Sequence, residues 1–341
     1  MRIRSSLVAV ASLALAAACS GSEPEAAAES GATMADRVAQ FAPVTLDFDA
    51  SLLDDRQKRV MRLLVEASDH LDAIYRLQVW RGNADPAAVL PDPGTPEAAA
   101  IHDYYELMYG PWDRIAEEEP FVAGVGPKPA GAGSYPEDMT KEEFEEWIGL
   151  NRGDAAAFTS YYTVIERDNG GLRAVPYSQA YVEQLESAAA ALRDAAEHAD
   201  NPSLERFLRL RAESFLTDEY FDSEIAWMRL EDNLIDPTIG PYEVYEDGLF
   251  GYKASFESFI GFKDPEASGL LAGLAARLPA LERALPIPDE HKYLDRDFTS
   301  PISVIDLVYG AGETRPGVQT IAFNLPNDAR VRETEGSKKV M

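Results

Sequence analysis

Apolar side chains recur at helical spacing through the first two thirds of the chain. From Asp54 to Trp80 they repeat every three or four residues, which predicts an amphipathic helix. The alanine-rich stretch Ser178 to His198 predicts another helix. Asn201-Pro202 predicts a helix start, since asparagine caps and proline fits the first turn. Thr140 to Glu143 has capping-box spacing, in which the hydroxyl and the carboxylate each satisfy a free backbone N–H.

Extended segments follow these helices. Two apolar runs flank Asp168-Asn-Gly-Gly171, which predicts a hairpin with a glycine turn. Near the C-terminus, Ile302 to Tyr309 and Thr320 to Leu325 predict strands, joined by a glycine-rich loop at 310–317. Two more helices are predicted, at Lys253 to Phe262 and Pro265 to Leu285. The fold class is therefore α+β, with helices first and strands gathered near the end.

Composition narrows the choice of partners. The chain has 341 residues and a net charge of −28, so a phosphate backbone would be repelled and nucleic acid is excluded as a partner. Hydrophobic residues make up 46%, which is typical of a globular protein rather than a disordered one. Cys19 is the one cysteine, so no disulfide can form within the chain.

The first 19 residues predict an export signal. Arg2 and Arg4 form a basic start, Leu7 to Leu15 an apolar stretch, and small residues then lead to Cys19. A small-residue run that ends in cysteine is typical of a bacterial lipoprotein signal; the alternative is an ordinary signal peptide with an incidental cysteine. We favour lipidation at Cys19, with residues 20–36 as a flexible tether. Ser20 then favours the periplasmic side of the outer membrane.

The sequence offers few conventional catalytic motifs. Its histidines are His70, His102, His198 and His291. They are too far apart to form an HExxH zinc helix, and no P-loop or GxSxG elbow is present. A surface or structural role is the better interpretation of each histidine.

Two polar stretches remain as candidate sites. In the segment Ile239 to Ile260, Glu243 and Tyr245 stand two apart, so on an extended chain both point to the same face. They could act together or be ordinary exposed groups at a strand end, and the residues alone favour neither. Asn324 and Asn327 flank a proline and could present two amides in one direction, although simple turn chemistry explains them as well.

At these stretches the sequence resembles the dipeptidyl peptidase III family of zinc metallopeptidases, especially its bacterial branch. The likeness runs from about residue 37 to the end, and its strength lies in the order of the motifs. They are Tyr109-Gly-Pro-Trp-Asp-Arg114, Tyr135 to Phe144, Val175-Pro-Tyr-Ser178, Ile225-Ala-Trp227, Ile239 to Asp247, Leu249 to Lys253, Phe256-Glu257, Asn324-Leu-Pro-Asn327 and Glu333-Thr-Glu-Gly336.

The resemblance implies a two-lobed fold, in which helices surround a small β-barrel lobe and a second, helical lobe carries zinc. It places the barrel lobe at 37–263, the start of the helical lobe at 264–300, and a return to the barrel lobe at 301–341. Enzymes of this family remove dipeptides from the N-termini of short peptides.

The resemblance also implies roles for single residues. Glu243, Asn324 and Asn327 would hold the peptide's free ammonium, with Glu257 also contacting substrate. Tyr245 would be catalytic and donate a hydrogen bond to the scissile carbonyl as it becomes an oxyanion. A carboxylate and amide oxygens suit an ammonium, and a phenol suits a developing negative charge.

The family's zinc motif, HExxGH or HExxxH, does not occur in these 341 residues. We therefore expect this chain to bind no zinc and to be inactive by itself, as the N-terminal part of an exported, lipid-anchored dipeptidyl peptidase. The alternative is a non-catalytic lipoprotein that binds peptides or other partners with the same fold.

Overall fold

The structure, a computed structural model, describes residues 32–46, 48–275, 277–292, 294 and 302–341. The predicted signal, Cys19 and most of the predicted tether lie outside these residues. The α-helices are α1 Met34–Val38, α2 Asp55–Val79, α3 Pro96–Met108, α4 Lys141–Leu150, α5 Ala155–Phe158, α6 Tyr177–Ala180, α7 Val182–His198, α8 Pro202–Thr217, α9 Phe221–Met228, α10 Pro265–Ala275, α11 Leu278–Ala284 and α12 Ala329–Glu335. The strands are β1 Trp112–Asp113, β2 Glu119–Pro120, β3 Thr163–Asp168, β4 Gly171–Pro176, β5 Ile235–Glu243, β6 Ser255–Lys263, β7 Ile302–Ser303, β8 Ile305–Gly312, β9 Phe323–Leu325 and β10 Lys338–Val340.

The main core lies between a layer of long helices and a sheet. Helix α2 packs against α7 on one side and against β6 and β8 on the other. The periodic apolar residues of α2, such as Leu64 and Leu71, are fully buried there. Asp54 caps α2 with a reciprocal capping box to Gln57, and Asn201 caps α8 through the N–H of Leu204. Both predicted helix starts are confirmed.

A three-stranded antiparallel sheet, in the order β5-β6-β8, carries the candidate site at one end. The predicted helix at Lys253 to Phe262 is wrong, because Ser255–Lys263 form the central strand β6. Five of the seven residues from Phe256 to Phe262 are hydrophobic or glycine, and β6 is buried on both faces between its neighbours. A strand buried on both faces lacks the polar and apolar alternation that distinguishes a strand from a helix in sequence.

The predicted hairpin is confirmed as β3 and β4. Its turn residues Asn169 and Gly170 both have positive φ, at 48° and 84°, which suits an Asn-Gly turn between twisted strands. The capping box at Thr140 is only half formed. Its hydroxyl accepts the N–H of Glu143 at 3.1 Å, but the Glu143 carboxylate accepts hydrogen bonds from Arg167 instead of reaching back.

The expected small β-barrel is not found among the described residues. Their strands form two three-stranded sheets, β5-β6-β8 and β7-β10-β9, and two separate two-stranded pairs. A barrel requires hydrogen bonding that continues around all its strands, and these short sheets end at open edges. The mixed helix-and-sheet class is confirmed, while the division into lobes stays a prediction.

Candidate functional site

The end of the β5-β6-β8 sheet opens into a cavity of about 460 Å³, which we call the acidic cavity. Glu243 is the last residue of β5, and Tyr245 follows it by two positions. Strand β9 brings Asn324 to the same cavity, and the loop after β9 brings Asn327. The residues that matter for its chemistry are Glu243, Tyr245, Glu257, Glu313, Asn324 and Asn327. All five residues predicted to act on substrate therefore line one cavity.

A second cavity of about 620 Å³ adjoins the acidic cavity. Glu243, Tyr245 and Asn327 line both spaces. On its far side the larger cavity is lined by Tyr161 and by Arg330 of α12. Since three residues are shared, the two cavities form one continuous depression across the end of β5.

The Glu243 carboxyl is half-buried and is held by a neighbour. Burial raises its pKa above the ordinary value, and a hydrogen bond from Asn327 partly offsets that effect. The Asn327 Nδ2 atom also donates to the backbone oxygen of Tyr242 at 2.9 Å. Asn327 is thus anchored to the end of β5, just before Asp328 caps α12. This arrangement fixes the position of one predicted amide relative to the carboxylate.

Tyr245 projects into solvent with 80% of its surface exposed. The negative charge of Glu243, followed by burial, raises the pKa of its phenol. The hydroxyl therefore remains protonated at neutral pH and can donate a hydrogen bond.

Glu257 is the deepest of the predicted residues and is only 3% exposed. Burial, then the nearby Glu313 and Glu243 carboxyls, raise its pKa well above the ordinary value. The register of the sheet explains this crowding, because Glu257 pairs with Gly240 on β5 and with Gly312 on β8. Each of the three strands thereby brings a carboxyl to the same end.

Glu313 was not predicted as a site residue. It directly follows β8 and lies in the stretch 310–317, which the sequence predicts to be a glycine-rich loop. Burial first, and then the charge of Glu246, raise its pKa to about 8. No local sequence signal marks this residue, since its position depends on the pairing of β8 with β6.

The other acids of the Ile239 to Ile260 stretch have structural roles. Glu246 accepts hydrogen bonds from Tyr75 at 2.7 Å and Lys128 at 2.9 Å, and pairs with Arg114 at 2.5 Å. Asp247 accepts the backbone N–H groups of the following turn and the hydroxyl of Tyr135 at 2.9 Å. The acids of this segment therefore divide into two that face the cavity and two that hold the turn.

The residues described here do not fit the zinc ion that the resemblance implies. Within the described ranges, no group of three or more His, Cys, Asp or Glu side chains could hold a metal ion. Glu243, Glu257 and Glu313 are crowded, but they do not form a metal-binding set.

Comparison with known proteins places the chain in a family. The profile of peptidase family M49 matches residues 166–341, just over half of the chain. This matched region contains β5, β6, β8 and β9, which bring the predicted site residues together. The chain belongs to peptidase family M49.

Two solved structures that are similar to this chain are of dipeptidyl peptidases III. The structure of the enzyme from Caldithrix abyssi superposes with a TM-score of 0.86 at 49% identity, over 89% of this chain and 58% of that one. The enzyme from Corallococcus sp. strain EGB gives a TM-score of 0.82 at 41% identity, over 90% of this chain and 57% of that one.

A protein named Nudix hydrolase 3, from Arabidopsis thaliana, is 34% identical over 355 residues, which cover 89% of this chain and 45% of that protein. The chain spans about half the length of these three relatives.

Proposed function

We propose that this chain provides the peptide-binding part of a zinc-dependent dipeptidyl peptidase that removes dipeptides from peptide N-termini. The observation that carries this proposal is the convergence of Glu243, Glu257, Asn324, Asn327 and Tyr245 on one cavity. Its relatives named dipeptidyl peptidase III support the same activity.

The ammonium of the peptide is the group that the acidic cavity suits. An ammonium offers three N–H donors and needs acceptors, preferably with negative charge. Glu243 supplies the carboxylate beside Asn327, and Asn324 supplies a further amide from β9. A peptide with a blocked N-terminus lacks the charge and two of the donors, so it would leave these acceptors without partners.

Tyr245 is placed to act further along the peptide. Two residues of an extended peptide span about 7 Å. Tyr245 lies in the turn that follows β5, not on a continuation of the strand as the extended spacing predicts, and it lines the same cavity as Glu243. When Glu243 holds the ammonium, the carbonyl after the second residue can therefore reach the neighbourhood of Tyr245. Its exposed phenol can donate to that carbonyl oxygen and stabilise the negative charge that develops during attack.

We also propose that the protein is an exported lipoprotein. The sequence that ends in Cys19 supports this proposal, and the anchor would hold the protein on the periplasmic side of the outer membrane. Among helices of the described residues, none has the length and apolar character needed to cross a membrane. Expression in a Gram-negative host tests the proposal. The parent should sediment with membranes, and Cys19→Ser should not; equal fractionation of both would contradict it.

Calorimetric titration tests the ammonium site directly in the full chain. A short free-amine peptide should bind, and its N-acetylated counterpart should bind at least about tenfold more weakly, a difference of about 1.4 kcal/mol. Glu243→Gln should weaken binding of the free-amine peptide only. Equal affinity for both peptides would refute the proposed ammonium site.

Kinetics test the peptidase activity. In an active protein that contains this chain, Tyr245→Phe should lower kcat by about a hundred- to a thousandfold and leave KM nearly unchanged, because the hydrogen bond forms mainly in the transition state. Release of a dipeptidyl reporter measures both constants. Unchanged kcat would exclude Tyr245 from catalysis. Peptide binding without any hydrolysis, in the complete protein supplied with zinc, would instead support a non-catalytic peptide-binding protein.

A further inference from the structure

The side chain of Glu313 enters the acidic cavity from a backbone that the fold holds tightly. Gly312 has a φ of 70°, and a Cβ at this position would lie 2.0 Å from the backbone oxygen of Phe256. The N–H of Gly312 donates to Asp72 at 3.0 Å, and the N–H of Glu313 donates to the Phe256 oxygen at 3.1 Å. Contacts with β6 and α2 thus fix the direction from which Glu313 approaches the cavity.

One oxygen of this carboxyl has no partner. The Oε2 atom of Glu313 is buried and makes no hydrogen bond to any described residue. Leaving a buried polar atom unsatisfied costs about 1–3 kcal/mol. Glu257 lies beside it and is only 3% exposed. No cation or hydrogen-bond donor in the described part of the chain offsets the charge of its carboxylate. Two poorly satisfied carboxyls facing a cavity indicate a cationic ligand.

We propose that Glu313 is a further substrate-contacting carboxyl, which holds a proton while the cavity is empty and releases it when a peptide ammonium enters. This inference rests on the proposed ammonium site and assigns to it a residue that the sequence did not indicate. The ammonium would donate a hydrogen bond to the unpartnered Oε2 atom, and the proton would pass to bulk solvent. Charge in the cavity is conserved, because one positive charge replaces another.

The charges around Glu313 are consistent with this exchange. Glu246, Glu243 and Glu257 disfavour ionisation of its carboxyl, while Arg114 and a hydrogen bond from Ser255 favour it. The phenols of Tyr75 and Tyr245 also face it and remain neutral. Burial opposes ionisation most strongly, and together with these carboxyls it raises the pKa of Glu313 to about 8. An incoming ammonium would supply the nearby positive charge that the cavity lacks.

The number of protons released on binding tests the proposal. Tetra-alanine with a free amine is titrated into the full chain near pH 7, in buffers of low and high ionisation enthalpy, so that the buffer dependence of the heat counts protons. The parent should release several tenths of a proton more than Glu313→Gln. The affinity of the parent should also increase from pH 6 to pH 8 more steeply than that of the variant. The amino group of the peptide titrates in both experiments, so the difference between proteins reports Glu313.

Matched variants separate this role from a structural one. Asp306→Asn changes an exposed acid on the same strand β8 and should match the parent in proton release and affinity. Glu313→Asp keeps a carboxyl and should retain proton release while binding more weakly. Parent and Glu313→Gln with equal proton release would overturn the inference while the ammonium site stands. If the parent binds no free-amine peptide, the proposed function and this inference both fail.

Discussion

Two sets of buried carboxyls lie near the end of the β5-β6-β8 sheet, and their surroundings are opposite. Glu246 is buried beside Arg114, Lys128 and Tyr75, which satisfy both of its oxygens. Burial acts to raise its pKa, but the two cations outweigh burial and lower the pKa to about 2. Glu313 is buried with one oxygen that accepts no hydrogen bond from the described residues, and burial above all raises its pKa to about 8.

The difference separates a structural acid from a binding acid. The Glu246 carboxylate has its full set of partners within the fold, so it stabilises the loop after β5 and has no oxygen free for a ligand. Among the described residues, no cation forms an ion pair with Glu243, Glu257 or Glu313, and the proposed ammonium ligand would supply that charge. Binding sites commonly retain such unfavourable groups at a cost in stability. Burial alone therefore does not reveal the role of a carboxyl; its partners do.

The largest effect is expected when the satisfied carboxyl is neutralised. Glu246→Gln leaves Arg114 buried without its counter-charge and leaves Lys128 paired with Glu118 alone. Breaking a buried ion pair in this way costs about 3–5 kcal/mol of stability. Urea unfolding measures the loss. Glu142→Gln, at an exposed position on α4, is the control and should change stability by less than about 0.5 kcal/mol. A similarly small effect for Glu246→Gln would remove the contrast between the two sets.

Replacing the glycine that positions Glu313 should have the next largest effect. In Gly312→Ala the methyl group meets the Phe256 oxygen, and the left-handed φ alone costs about 1–3 kcal/mol. Peptide binding should weaken as well, because Glu313 shifts with the backbone. Gly149→Ala in α4 has open space around it and should be neutral or slightly stabilising. Equal stability of the two alanine variants would show that residue 312 tolerates a side chain.

Local signals were sufficient for much of the helical layer. The apolar repeat of α2 and the cap at Asn201 act over a few residues, and the structure shows both as predicted. The same is true of the Asn169-Gly170 turn. The prediction of a helix at the position of β6 was wrong, because the burial of β6 depends on its pairing with β5 and β8, which are separate segments of the chain.

The candidate site shows a similar limit. Glu243, Asn324 and Asn327 were found through a family resemblance, whereas spacing alone left ordinary turn and surface roles open. The structure brings them together on one cavity, although their roles stay predictions. Glu313 could not be found from its neighbours in sequence, because strand register and a left-handed glycine place it beside Glu257.

The pH dependence of stability should have opposite signs for the two acids. Glu246 has a lowered pKa, so its contribution is present above pH 4.5 and is lost as pH falls toward 2. Glu313 keeps its proton in the folded state up to about pH 8, whereas the unfolded chain releases it near 4.5. The folded state then binds more protons across that window, so stability falls as pH rises.

Urea unfolding at a series of pH values checks both signs. The stability of Glu313→Gln relative to the parent should increase between pH 5 and pH 8, by more than about 1.4 kcal/mol, the equivalent of one pKa unit. The deficit of Glu246→Gln should shrink as pH falls below 4.5. Parallel profiles for the parent and Glu313→Gln would show that this carboxyl ionises normally.

The smallest effect should come from neutralising Glu257 in the empty protein. Glu257→Gln has nearly the same shape and removes a carboxyl whose ionised form is disfavoured by burial and by two neighbouring acids, so unfolding at pH 8 should require more free energy than in the parent. The same change should weaken binding of a free-amine peptide, because the cavity loses a carboxyl that can ionise beside the ammonium, whereas an N-acetylated peptide should be unaffected. Glu145→Gln, exposed on α4, should alter neither property. A destabilised Glu257→Gln with unchanged peptide affinity would place Glu257 with Glu246 among the structural acids.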